Sequence, residues 1–107
     1  MTDTIRALLQ RAIDTHGANQ QVWKAVEEMG ELTQALAKLA GDPGAPNPDY
    51  NQRMDHVAEE IADVRIMLEQ ICMIFDIEAR AGQWRYHKLQ RLKERLDAME
   101  DNQRKGQ

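Results

Sequence analysis

Apolar residues recur along this chain at intervals of three and four, the spacing of a single helix face. Ile5, Leu8, Leu9, Ala12 and Ile13 form the first such stripe. It predicts a helix over about residues 3–16, with Thr2 or Asp3 as N-cap. Gly17 stands where the chain should leave that helix through a left-handed cap. Val22, Val26, Met29, Leu32, Leu36 and Leu39 predict a second helix, opening after Asn19 and closing at Gly41. Met54, Val57, Ile61, Val64, Leu68, Ile71 and Phe75 predict a third, over about residues 51–75. A fourth, over about residues 77–99 and capped by Asp76, turns Leu89, Leu92, Leu96 and Met99 to the core, with Gly82 as its weak point.

Between the second and third helices, residues 41–50 hold three prolines and two glycines and cannot continue a helix. Helical hairpins usually turn in about two to eight residues. The longer connector here is expected to be a flap or part of an interface. Residues 101–107 are polar and read as a disordered tail. The pattern therefore predicts an all-α protein. A four-helix, bundle-like core occupies a single domain over residues 1–100, and dimerisation completes it. Trp23, Trp84 and Leu9 are the candidate interface residues.

Composition narrows the function classes. A net charge of −4 argues against binding nucleic-acid polymers through a basic surface. The one cysteine, Cys72, can form no internal disulfide. No basic-then-apolar leader opens the chain, and no apolar run approaches the ~20 residues that span a bilayer. The expectation is a cytoplasmic protein without a membrane partner.

Two acidic stretches carry the chemistry. Glu28 with Glu31, and Glu60 with Asp63, are pairs three residues apart, which places each pair on one helix face, one turn apart. Counting about 100° per residue, Glu28 falls at the edge of its apolar stripe, Glu31 further out and Glu27 toward solvent. Gln21 projects on the side of Glu28, two turns earlier. Glu60 falls inside an apolar sector, flanked by Val57, Val64, Met67 and Ile71, with Asp63 on its shoulder. A buried carboxylate needs a cation, a proton or a hydrogen-bonding network. An oxygen-only donor set suits hard cations. No Glu has a His three residues later, so a ferritin-like di-iron site is disfavoured. His56, one turn before Glu60, is either a supporting group or a surface histidine. Lys88, Arg91 and Arg95 either hold phosphates or form a solvated edge. Trp23 either stacks on a base or packs at an interface.

Glu27-Glu28-x-x-Glu31 followed by Glu60-x-x-Asp63 resembles the signature of the MazG-like nucleotide pyrophosphohydrolases, of the all-α NTP pyrophosphatase superfamily. Residues 17–21, Glu59-Glu60-Ile61-Ala62-Asp63-Val64 and Lys88-Leu89-Gln90-Arg91-Leu92 are also similar to small members, and the likeness covers roughly residues 5–96. The resemblance implies Mg²⁺ dependence, with Mn²⁺ as a substitute. It also implies cleavage of a nucleoside triphosphate to the monophosphate and pyrophosphate, as in nucleotide-pool housecleaning, by a homodimer or a dimer of dimers. Carried over by position, Glu28, Glu31, Glu60 and Asp63 are the metal ligands, and Glu27 orients water or completes the metal shell. Lys88 and Arg91 contact phosphates; beside this carry-over, Gln21 and Trp23 are the further candidates for binding the nucleotide. Two other readings remain open. One is a non-catalytic interaction module with a vestigial or structural metal site; the other is a plain oligomeric bundle.

Overall fold

The computed structural model describes residues 1–44 and 47–106 of the chain. All regular structure among the described residues is helical: α1 (Asp3–His16), α2 (Ala18–Ala40), α3 (Tyr50–Phe75) and α4 (Glu78–Lys105). The all-α, four-helix expectation holds. Among the described residues, no helix is long and apolar enough to cross a membrane.

Local chemistry sets the helix ends. The Thr2 hydroxyl caps α1 by accepting from the Ile5 N–H at 3.2 Å. Gly17 alone separates α1 from α2. At φ +91° it donates its N–H to the Ile13 carbonyl and offers its own carbonyl to the Gln21 N–H. Asp76, with φ +52°, ends α3 in the left-handed region, and Ile77 rather than Asp76 is the N-cap of α4. Helix α4 runs unbroken through Gly82 and on to Lys105.

By its internal packing the chain forms two compact units, residues 1–75 and 76–107. In the first, α2 and α3 form the principal packing pair and α1 touches both. Its buried apolar residues are Leu9, Ile13, Ala25, Ala35, Val57, Val64 and Met67.

This core corrects the helical stripes. On α2, Val26, Met29 and Leu36 are exposed, while Gln21, Ala25, Glu28 and Ala35 are buried. On α3, Met54, Leu68 and Phe75 are exposed, while Glu60, Met67 and Gln70 are buried. Both helices turn a face carrying the acids, rather than their bulkiest apolar residues, toward their neighbours. Alanine at positions 25 and 35 leaves room for two backbones to approach closely. In the second unit no residue of α4 is buried, so Leu89, Leu92, Leu96 and Met99 are exposed rather than core. Trp23 and Trp84 are exposed as well, but Leu9 is a core residue of the first unit, which removes it from the candidate interface.

The proline-rich connector is organised around Asp42, whose side chain is fully buried. Its carboxylate accepts from the Gly44 N–H at 2.8 Å, from Asn47 Nδ2 at 3.0 Å and from Arg53 Nη1 at 3.0 Å. These bonds fasten the connector to the first turn of α3. The expected connector includes residues 45–46, which lie outside the described residues.

Candidate metal centre

The acids converge. One carboxylate oxygen from each of Glu28, Glu60 and Asp63 lies within 4.8 Å of the others, across the α2–α3 packing. Glu28 and Glu60 are only 7% and 5% exposed, and Asp63 is half-buried. Glu28 is thus an interior residue rather than one at the stripe's edge, and Glu60 sits in the apolar sector as its spacing requires.

Each buried glutamate leaves one oxygen without a hydrogen-bond partner among the described residues. Glu28 Oε1 receives the Lys24 ammonium at 3.1 Å. Glu60 Oε1 has His56 Nε2 at 3.9 Å. Glu28 Oε2 and Glu60 Oε2 are buried with no hydrogen-bond partner among the described residues. An orphaned carboxylate oxygen inside a protein is costly. Two of them beside a third carboxylate form a donor set that a hard divalent cation would satisfy.

The electrostatics agree. Burial, and then the negative charges of Glu31 and Glu28, push the Glu60 carboxyl above its ordinary range, with His56 partly opposing them. The Glu28 charge raises the exposed Glu31, and burial and a hydrogen bond with Glu28 add to it. Hydrogen bonding to Glu28, and then the Glu27 charge, hold the Lys24 ammonium above its usual value.

Glu31, exposed and one turn from Glu28 on α2, is outside the three-residue donor set. Glu27 points outward, 3.9 Å from Lys24. Gln21 shares the buried face of Glu28, yet its Nε2 donates to Gln70 Oε1 at 2.7 Å, and that amide group serves packing. Trp23 is 72% exposed. Lys88 and Arg91 are exposed on the second unit.

Two clefts adjoin residues of this cluster. One, of about 340 Å³, is lined by Ala12, His16, Gln20, Gln21, Lys24 and Met67. The other, of about 390 Å³, is lined by Ala35, Lys38, Asp49, Gln52, Arg53 and His56. Sequence reasoning passed over Gln70, Lys38 and Asp42. A buried Gln pair has no spacing rule, and Lys38 acquires neighbours only when the hairpin closes.

Compared with family models, curated proteins and solved structures, the chain matches none.

Proposed function

We propose that this protein is a Mg²⁺-dependent nucleoside triphosphate pyrophosphohydrolase, converting an NTP or dNTP and water to the monophosphate and pyrophosphate. The observation that carries the reading is the pair of buried, unpartnered oxygens of Glu28 and Glu60 beside Asp63. The resemblance of the double acidic motif supports it. Glu28, Glu60 and Asp63 would hold the cation, and Glu31 is the nearest further carboxylate. Bound there, Mg²⁺ or Mn²⁺ would supply charge neutralisation for a polyphosphate and polarise a phosphoryl oxygen.

The chain's own residues do the rest. Lys24 holds Glu28 in place through its Oε1, leaving Oε2 for a ligand. His56 stands toward Glu60 Oε1 in the corresponding position. Glu27, exposed at the rim, is the residue available to orient water. Without a cation the carboxylates would repel a triphosphate, so activity should vanish with a chelator. Assembly into a homodimer or dimer of dimers belongs to the same reading, supported by the exposed Val26, Met29 and Leu36.

The test is pyrophosphate release from a panel of NTPs and dNTPs with Mg²⁺ or Mn²⁺. Release that stops with a chelator and in Glu60→Gln supports the reading. Metal binding with no release from any nucleotide would favour the non-catalytic module instead.

A further inference from the structure

The cleft of about 390 Å³ at the connector end of the α2–α3 pair is unlike the acid cluster beside it. Its lining brings Lys38, Gln52, Arg53 and His56 to one place, together with Ala35 and Asp49. It borders the cluster directly: His56 lines the cleft, and its Nε2 is 3.9 Å from Glu60 Oε1. Ala35 lies one turn beyond Glu31 on α2. Helical side chains lean toward the helix N-terminus. The Lys38 side chain therefore leans back along α2, toward the acids.

The charges in the cleft are not equivalent. Arg53 is held by Asp42 at 3.0 Å and, through it, by the connector. Lys38 is different: among the described residues no carboxylate pairs with its ammonium. The first turn of α3, with Gln52 and Arg53, faces the same space, and a helix N-terminus favours an anion. An unpaired ammonium, an amide, an imidazole and a helix start, spread from about 6 to about 15 Å along the helix axes from Glu28 and Glu60, match the extended shape and the chemistry of a polyphosphate tail.

We propose that this cleft is the subsite for the terminal phosphates, and so for the pyrophosphate product, with Lys38 as its principal cation. The inference rests on the reading of the acid cluster as a metal centre and adds a direction to it. The nucleoside end of the substrate lies away from the connector, toward the Gln20 and His16 cleft, and the phosphate tail runs toward Lys38.

The experiment is a pair of titrations on the full chain, followed by backbone amide NMR. Mg²⁺ alone should shift the amides around Glu28, Glu60 and Asp63, which tests the metal centre by itself. Inorganic pyrophosphate, with and without Mg²⁺, should shift Lys38, Gln52 and His56. Lys38→Ala should weaken pyrophosphate binding by about tenfold or more, as expected for a lost charge-assisted hydrogen bond. Lys38→Arg should retain most of it, and Mg²⁺ shifts should be the same in all three proteins. A normal Mg²⁺ response overturns the subsite alone if pyrophosphate does not bind, moves only Lys88 and Arg91, or binds Lys38→Ala as well as wild type. No Mg²⁺ response at the acids overturns the metal centre, whatever pyrophosphate does.

Discussion

Glu28 on α2 and Glu60 on α3 each bury one carboxylate oxygen that no donor among the described residues meets. One turn earlier on its own helix, Lys24 pairs with the other oxygen of Glu28 at 3.1 Å, and His56 stands 3.9 Å from the other oxygen of Glu60. The two helices thus repeat one arrangement: a basic or titratable residue stands at i−4 to a glutamate that keeps one buried oxygen unpartnered among the described residues.

That arrangement predicts opposite effects of one substitution. Glu60→Gln should raise the thermal midpoint in a chelator, because a buried, unpaired charge is gone. The same change should lower affinity for Mg²⁺ or Mn²⁺ by more than the about 10–100-fold that losing a mere supporting residue costs. Differential scanning fluorimetry in chelator and in excess Mg²⁺ reads both. A variant less stable than wild type in chelator would contradict the buried-charge argument.

The pH dependence follows from Glu60 and Glu31, whose carboxyls are held above their ordinary range, Glu60 chiefly by burial and Glu31 chiefly by the Glu28 charge. The folded state binds these protons more tightly than the unfolded chain. Their contribution to stability is therefore full below the ordinary glutamate value and is lost as pH rises through the raised one. In chelator, the stability gap between Glu60→Gln and wild type should widen in favour of the variant as pH rises from about 4 to about 8. Saturating Mg²⁺ should remove that widening in wild type. Urea unfolding across this range is the check, and a gap independent of pH would contradict the shift.

Asp42 gathers the connector through Gly44, Asn47 and Arg53. Asp42→Ala strands those donors and should destabilise the fold by about 1–3 kcal/mol. It should also free Arg53. Urea unfolding gives the first effect. An unchanged midpoint would mean that the connector contributes nothing to holding α2 against α3.

The exposed apolar residues of α2, Val26, Met29 and Leu36, predict self-association. Sedimentation at micromolar concentration should give a dimer or tetramer, and Met29→Glu should shift it toward monomer. A wild-type monomer at that concentration would contradict the assembly.

Much of the fold could be read from the residues because helix ends are local. Thr2, Gly17 and the prolines of the connector act on their immediate neighbours, and the observed ends fall close to the expected ones. Which face is buried is a different kind of fact. A stripe count favours large apolar side chains, yet close helix packing rewards small ones. Ala25 and Ala35 consequently went inside and Val26, Met29 and Leu36 stayed out. The leucines of α4 show the same limit: an apolar seam says that something should cover it and not what. The acid pairs were visible within each helix, since three residues make nearly one turn. Their meeting across α2 and α3 depends on the register of the hairpin. Contacts of the connector help to fix that register, above all those made by Asp42, and no single-helix count contains them.

The most direct test is isothermal titration of Mn²⁺ into chelator-stripped protein, with Glu60→Gln in parallel. The wild type should take up the ion, and the variant should bind more weakly by more than the about 10–100-fold that losing a supporting residue costs. Equal binding by both proteins, or none by the wild type, would show that Glu28, Glu60 and Asp63 are not a cation site.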